Sequence, residues 1–553
     1  MTGHDGHVSR PIGRRARTTV SRWFIAAMGA VVVLGASPAG AQHPARVTRS
    51  VNATVDDVAP TRTYAAPYVL VDRADPLTAV AGTVDMRART CHLLRSRDGG
   101  QTWRLLDASP SPQDYPFCFH TSGMTTMTPM AMGRDGAIYM GMVGWGPQDE
   151  EPGRDAAHAG SRGNLSIIVS RSDDLGDTWQ PVVAHDTRGL EGEDVQNNRP
   201  VSSLAVDRTT GGQDRVYVGY VQRQPNADPE VPNEPMVIAS TDGGETFSAP
   251  VSAFGDYERV LSAEEFDLEE DHTIGVSFSA APQLAVADDG TLYVMFAGSA
   301  PRGSDLEDLL LLARSTDNGQ TFTVNEIGTL GPSFDYPTFA WSPVGGEQGT
   351  LHMAYEDKPD GPLGDRDIYH RRSTDGGATF SAPQQLNDDA AEQLAGQYQA
   401  QVSVAPNGRV DVAWWDFRND PGLFANDVYA TWSDDNGESW APNVRISDQS
   451  IDRDIGTWSN GFDMRQPPGV GSADDYALYA WDDTRLADAA GQSQDVFAAA
   501  LQFSPVTVGN STLRYVIAGL IGLALGGTAL LVVGSRMRTG PQPQQRERVP
   551  AGV

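Results

Sequence analysis

The sequence predicts an all-β fold, a β-propeller of four-stranded blades, followed by one C-terminal transmembrane helix. Three observations predict it: a short hairpin motif that recurs six times, alternating strand-like runs before each copy, and a long apolar run near the C terminus. The chain has 553 residues, enough for several domains or for one large repetitive domain. The repeats favour the single repetitive domain.

The hairpin motif reads Ser-x-Asp-x-Gly-x-Thr/Ser-Trp/Phe. Gly accepts a positive φ and Asp bonds nearby backbone amides, so the motif indicates a tight turn between two strands. Its copies are 58 to 76 residues apart, a period that suits one four-stranded sheet per copy. The aspartates that we expect to have a structural role are Asp98, Asp174, Asp242, Asp317, Asp375 and Asp435.

Two further strands precede the hairpin in each repeat, as in the alternating run 215–220. We call the four strands A to D in chain order, with A innermost. A seventh unit follows the sixth motif, but it lacks a hairpin and therefore an outer strand. Residues 46–51 are expected to supply that strand and close the ring. The prediction is seven blades, with six as the alternative.

The two ends of the chain indicate export and membrane anchoring. Five arginines precede an apolar run, and Ala39 and Ala41 provide a small-x-small cleavage site. Residues 516–534 are apolar or small, and the arginines after them place the following tail in the cytoplasm. A buried N-terminal helix is the alternative for the first segment. The predicted segments are a signal peptide 1–41, an N-terminal segment 42–59, a propeller 60–503, a linker 504–512, a transmembrane helix 513–535 and a cytoplasmic tail 536–553.

These segments place the propeller outside the cell, on the cell membrane, as a single-pass protein. In that oxidising space Cys91 and Cys118 are expected to form a disulfide, with free thiols as the alternative. The chain carries 72 acidic against 41 basic residues, a net charge of −31, which excludes nucleic acid as a partner. The acidic link 252–277 has the oxygen-rich character that suits Ca²⁺, and a solvated acidic loop is its alternative.

The six motifs resemble the Asp-box (BNR) repeats of the sialidase superfamily, in a membrane-anchored bacterial type, and they cover residues 60–503. The resemblance implies a β-propeller whose boxes are structural hairpins remote from the active site. It also implies a surface protein that recognises glycans and hydrolyses them, as an exo-sialidase or a related glycoside hydrolase. A non-catalytic propeller that binds or scaffolds an extracellular protein or a carbohydrate is the alternative, and enzymatic activity stays open.

Strand order separates scaffold from site. If strand A starts at the upper face, every hairpin motif lies on the lower face, and the D-to-A links and B-to-C loops lie on the upper face. The resemblance implies three arginines around a carboxylate, an acid/base Asp, and a Tyr activated by a Glu. The candidate catalytic residues on the upper face are Arg199, Asp335, Tyr336 and Tyr398. The candidate substrate-binding residues are His120, Asn198, Trp458, Arg418 and Arg485.

The sequence around the two candidate tyrosines and around the two arginines limits these assignments. Neither Tyr336 nor Tyr398 has a Glu within five residues, so an activating Glu must come from another blade. Arg418 and Arg485 each follow an aspartate by two residues, which favours an Asp–Arg clamp within the blade over contact with substrate.

Overall fold

The structure, a computed structural model, describes most of the propeller. The chain divides after Gln502 into two units, of which the second, 503–553, is described only at residues 503 and 504. The described residues are 42–118, 128–146, 165–191, 201–209, 212–223, 232–263, 272–276, 281–302, 305–330, 335–357, 366–390, 395–420, 422, 424–456, 466–487 and 493–504.

Seven antiparallel sheets follow one another along the chain, which confirms the predicted all-β propeller of seven blades. Blade 1 contains Tyr64–Val71, Ala79–Asp85, Thr90–Ser96 and Arg104–Leu105. Blade 2 contains Met130–Met132, Ile138–Gly144, Ser166–Ser172 and Gln180–His185. Blade 3 contains Val201–Asp207, Arg215–Gln222, Glu234–Ser240 and Val251–Ser252.

The remaining blades repeat the same order of strands. Blade 4 contains Gln283–Val286, Leu292–Arg302, Asp305–Ser315 and Thr323–Leu330, with Gly275–Val276 also paired to its second strand. Blade 5 contains Asp335–Ser342, Thr350–Asp357, Asp367–Ser373 and Gln384–Gln385. Blade 6 contains Gln397–Val404, Val410–Asp416, Ala425–Ser433 and Val444–Arg445, with Ile451–Asp452 paired to its third strand. A small separate sheet joins Val260–Leu261 to His272–Thr273.

Blade 7 is completed by the N-terminal segment. Its three consecutive strands are Gly469–Ser472, Tyr476–Asp483 and Asp495–Phe503. Ala45–Val47 is the outer strand, and Val51–Asn52 pairs with the same neighbour. The two ends of the propeller therefore share one sheet, at the place where the missing fourth strand was expected.

The innermost strands form a closed ring. Each strand A contacts strand A of the next blade, and the first strand of blade 1 contacts the first strand of blade 7. The apolar core lies between neighbouring blades. One cluster joins Leu94 and Trp103 of blade 1 to Leu478 and Val496 of blade 7, and another joins Tyr293 of blade 4 to residues of blade 5. This packing fixes the upper and lower mouths of the channel.

The hairpin motifs connect strands C and D and repeat one hydrogen-bond pattern. In the fourth copy, the Ser315 hydroxyl donates to Asp317 Oδ1 at 2.7 Å, and the Gly319 amide donates to Ser315 Oγ at 2.9 Å. The Thr321 amide and hydroxyl donate to the two oxygens of Asp317 at 3.0 and 2.6 Å. These bonds, led by that of the Thr321 hydroxyl, lower the pKa of Asp317 to about 2.

The Asp317→Asn substitution is expected to destabilise the protein by about 1 kcal/mol at pH 7, because it removes the charge that accepts these bonds. Since the pKa is depressed in the folded state, the contribution is present above the ordinary Asp range and is lost as the pH falls towards 2. The difference in unfolding free energy between wild type and variant should therefore shrink between pH 4 and pH 2. Denaturant titrations at several pH values measure it, with the exposed Asp135→Asn as control; a pH-independent difference would contradict the prediction.

Cys91 and Cys118 are joined in a disulfide, with their Cα atoms 5.9 Å apart. The bond ties the start of strand C of blade 1 to the link that leads towards blade 2. No helix in the described part of the chain is long and apolar enough to cross a bilayer. The predicted signal peptide, the remainder of the linker, the transmembrane helix and the cytoplasmic tail all lie outside the described residues.

Candidate functional site

The upper face of the propeller is described only in part. His120, Asn198, Arg199 and Trp458 lie outside the described residues. Asp335 and Tyr336 begin strand A of blade 5, where Asp335 is paired in register with Glu356 of strand B. Tyr398 and the two arginines Arg418 and Arg485 are described with their side chains, and they divide into two kinds of environment.

Tyr398 lies next to a distorted point of the innermost strand of blade 6. The register of this strand shifts between Tyr398 and Gln401, and Gln399 has a φ of 54°, in the left-handed region. A non-glycine residue in this region costs free energy and persists only where its surroundings hold it. Here the Gln399 amide donates a 2.6 Å hydrogen bond to Glu356 Oε2, across from blade 5. The bulge thus brings Glu356 to the residue that follows Tyr398.

Glu356, Arg366, Tyr398 and Gln399 form what we call the Tyr398 cluster. Glu356 is 1% exposed and lies at the end of strand B of blade 5. The Arg366 guanidinium donates to Glu356 Oε1 and lies 5.5 Å from the centroid of the Tyr398 ring. Burial raises the pKa of Tyr398, and the Glu356 charge adds to this effect while Arg366 opposes it. The phenol is therefore protonated at neutral pH.

Arg418 and Arg485 are held by carboxylates at the base of their own loops. Arg418 Nη2 lies 2.8 Å from Asp416 Oδ2, and Arg485 Nη2 lies 2.7 Å from Asp483 Oδ2. Each arginine also reaches a second aspartate in the link that leads into its blade, Asp388 or Asp448. The clamp interpretation is confirmed by these contacts, and the assignment of both residues to substrate is not supported.

The same clamp occurs in blade 1, where the sequence comparison had missed it. Arg87 Nη2 lies 2.8 Å from Asp85 Oδ2, at the same end of strand B. Three blades contain the same Asp-x-Arg ion pair at the end of strand B, where the B-to-C loop begins. We therefore interpret the pair as a structural contact that fixes the start of this loop. A contact that recurs in several blades indicates a structural role. The combination of a tyrosine with a glutamate and an arginine from the neighbouring blade is not repeated in the described parts of the other blades.

A second upper-face group was not predicted from the sequence. Arg453, 5% exposed, donates from Nη1 to Asp482 Oδ2 and from Nε to Asn426 Oδ1, both at 2.9 Å. Its Cζ lies 4.4 Å from the ring centroid of Trp415, and Trp415 Nε1 donates to the Gln466 carbonyl. Within the described part of the chain, Arg453 Nη2 and Gln466 Nε2 are buried donors without an acceptor. Buried donors in this state are costly, which marks the place as a potential contact for a polar ligand.

No group of three or more His, Cys, Asp or Glu side chains in the described regions is arranged to hold a metal ion. The described upper face offers a phenol, a buried carboxylate and guanidinium groups. A phenol with an adjacent base can act as a nucleophile, and an aromatic face with hydrogen-bonding groups around it suits a carbohydrate.

No protein-family model matches the chain, and no curated protein matches it. Among solved structures, it is similar to a protein of unknown function from Dyadobacter fermentans, with 15% identity, a TM-score of 0.44, and coverage of 83% of this chain and 99% of that chain. The Hadza microbial sialidase Hz136 is 14% identical, with a TM-score of 0.42 and coverage of 76% and 73%. An α-L-arabinanase from Penicillium chrysogenum is 13% identical, with a TM-score of 0.40 and coverage of 67% and 94%.

Proposed function

We propose that this propeller recognises glycans at its upper face and hydrolyses a glycosidic bond there, with Tyr398 as the nucleophile and Glu356 as its base. The observation that carries the proposal is the position of Glu356, which comes from blade 5 and accepts a hydrogen bond from the amide of Gln399, the residue that follows Tyr398 on blade 6. In the proposed step the phenol oxygen bonds the anomeric carbon while the bond from that carbon to the leaving oxygen breaks; Glu356 accepts the phenol proton, and the leaving oxygen takes up a proton from solvent. Water then replaces the phenol oxygen on the anomeric carbon, which releases the sugar and returns a proton to Tyr398. Sequence spacing offered no Glu near Tyr398, and Glu356 of the preceding blade is the carboxylate that supports the proposal.

Glu356 accepts hydrogen bonds from Arg366 and from the Gln399 amide, one on each carboxylate oxygen. Each carboxylate oxygen has more than one acceptor site, so these two bonds do not by themselves prevent Glu356 from accepting a proton. The two bonds fix the orientation of the carboxylate, and the positive charge of Arg366 stabilises negative charge that develops on the phenol oxygen.

The substrate class follows from the groups on this face. The half-buried ring of Tyr398 and the buried donors of Arg453 and Gln466 combine an aromatic group with polar groups, as carbohydrate sites do. Arg418 and Arg485, which were the available partners for Arg199 in a three-arginine clamp, are committed to aspartates. The proposal therefore rests on glycan hydrolysis in general rather than on recognition of a sialic acid carboxylate.

We also propose that the site acts outside the cell. The signal peptide 1–41 and the transmembrane helix 513–535 would export the propeller and anchor it to the cell membrane, with its ligands among extracellular glycans. The disulfide between Cys91 and Cys118 agrees with an oxidising compartment.

The Tyr398→Phe substitution tests the activity. The full chain is incubated with a panel of fluorogenic sialosides and neutral glycosides, and the variant is expected to lose turnover by about 10³-fold or more, because phenylalanine has no nucleophilic oxygen. The control is Tyr257→Phe, which removes a hydroxyl beside Glu326 on an outer strand of blade 4.

Two results would contradict the proposed chemistry. Turnover that survives Tyr398→Phe would exclude this residue as the nucleophile. Absence of turnover on every glycoside, from a wild-type protein with a cooperative thermal transition, would favour a non-catalytic binding propeller. The commitment of Arg418 and Arg485 to structural clamps is the observation that favours this second function.

A further inference from the structure

The lower mouth of the channel contains a cavity that the upper-face site does not use. Its volume is about 200 Å³, and it is lined by residues at the ends of strands A in blades 3, 4 and 5 and by the hairpin after strand A of blade 1. The polar and aromatic groups in this lining are Arg73, Arg208, Thr209, Asp288 and Trp341. The cavity is smaller than the usual site for a drug-sized molecule, so its size suits a small solute.

Arg73 and Arg208 are unusual among the arginines of the channel mouth. Neither side chain makes an ion pair or a hydrogen bond in the described part of the chain. Arg409, which follows strand A of blade 6, shows that an arginine at the channel mouth can find hydrogen-bond acceptors within the fold. Its guanidinium bonds both oxygens of Asp411 and the carbonyls of Ala473 and Tyr476. The charges of Arg73 and Arg208 are not neutralised in this way.

The electrostatics of the cavity favour a bound anion. Arg73 is exposed, Arg208 is half-buried, and both line the cavity. Partial desolvation at the channel mouth, and next the charge of Arg208, lower the pKa of Arg73 to about 10, so the two guanidinium groups repel each other. Three carboxylates partly offset this repulsion, Asp288 and Asp474 at Arg73 and Asp214 and Asp288 at Arg208, but none of them forms an ion pair with either arginine. Two like charges at the wall of a cavity are stabilised by an anionic group between them, and planar guanidinium groups match a carboxylate.

We propose that this cavity binds a small hydroxylated carboxylic acid, of the size of a sugar acid, through Arg73 and Arg208. The carboxylate of the ligand lies between the two arginines. Asp288 and the Thr209 hydroxyl accept hydrogen bonds from ligand hydroxyl groups, and the Trp341 ring, whose Nε1 is already bonded to the Gln348 carbonyl, offers an apolar face. The site lies at the opposite end of the channel from the Tyr398 cluster and does not depend on the function proposed for that cluster.

Titration calorimetry with D-glucuronate and D-glucose tests the site, because these probes differ in the carboxylate. The full chain is expected to bind D-glucuronate saturably and D-glucose at least about tenfold more weakly. Arg73→Gln and Arg208→Gln are each expected to weaken D-glucuronate binding at least about tenfold, since each removes one charged contact. Arg97→Gln, which removes an exposed arginine on the lower face, is the matched control and should leave binding unchanged.

The Asp288→Asn substitution distinguishes a site for hydroxylated carboxylic acids from a site that binds any small anion. The substitution is expected to strengthen binding of inorganic phosphate, because it removes a repulsive charge, and to weaken binding of D-glucuronate. Strengthening of both would overturn the hydroxyl contact. The whole proposal is wrong if the wild-type chain does not bind D-glucuronate in preference to D-glucose, or if both arginine variants, checked for unchanged thermal unfolding, bind it as well as wild type does.

Discussion

A chain that begins at Val55 is expected to lose more than about 5 kcal/mol of unfolding free energy relative to one that begins at Gln42. The removed residues supply two strands of blade 7 and place Ala53 and Thr54, which are almost fully buried, against its third strand. The Ala53 amide donates to the Val496 carbonyl, and the Thr54 hydroxyl to Asp495 Oδ1. Denaturant titration of both chains measures the loss.

The reason for so large an effect is that these residues close the ring. Without them Asp495–Phe503 becomes an unpaired edge, which favours aggregation, and blade 7 loses part of its contact with blade 1. A synthetic peptide of residues 42–54 should restore stability by adding back the strand, whereas a scrambled peptide should not. Equal stability of the two chains would show that blade 7 is held by its other three strands alone.

The Asp416→Ala substitution is expected to cost about 3–5 kcal/mol, because it breaks a buried ion pair from one side only. Asp416 is fully buried and accepts hydrogen bonds from Trp414 Nε1, from the Arg418 amide and from the Arg418 guanidinium. Burial alone would lower the pKa of Arg418, but the bonds to Asp416 outweigh it and raise the pKa. The substitution leaves the charge of Arg418 without its main partner and the indole donor without an acceptor.

The matched control is Asp173→Ala, which breaks the pair of Asp173 with Arg171. Its carboxylate is 49% exposed, and exposed pairs contribute about 1 kcal/mol or less. Both variants are compared with wild type by denaturant titration at pH 7. Equal losses of unfolding free energy in the two variants would show that burial does not strengthen the clamp. A small loss for Asp416→Ala would show that the clamp does not stabilise its loop.

The features that could be predicted from the sequence are those that repeat, and those that follow from a strand missing from one repeat. Six hairpins of one spacing predicted the sheets, and a seventh unit without an outer strand predicted that the N terminus would supply it. Two Asp-x-Arg patterns in neighbouring repeats predicted the clamps of Arg418 and Arg485. In each case local chemistry and position within the repeat carried enough information.

The candidate sites could not be predicted because they join residues from different repeats. Glu356 reaches the Gln399 amide at a bulge in strand A of blade 6, and nothing in the spacing of the repeats pairs these two residues. Arg73 and Arg208 follow strands of blades 1 and 3, and they meet because the ring is closed. Convergence across a ring is a property of the tertiary structure.

The pairing of the first strand with the last also constrains how the protein is made. Val51 and Ala498 are register partners about 450 residues apart, so at ordinary rates of synthesis the N-terminal strand waits on the order of half a minute or longer for its partner. During this time blade 7 lacks its N-terminal strands and the ring is not closed. Folding is then completed by one late step, in which the N-terminal strands pair with the last strand of blade 7. Until the whole propeller has been synthesised, the edge of blade 7 is not protected from association with other chains.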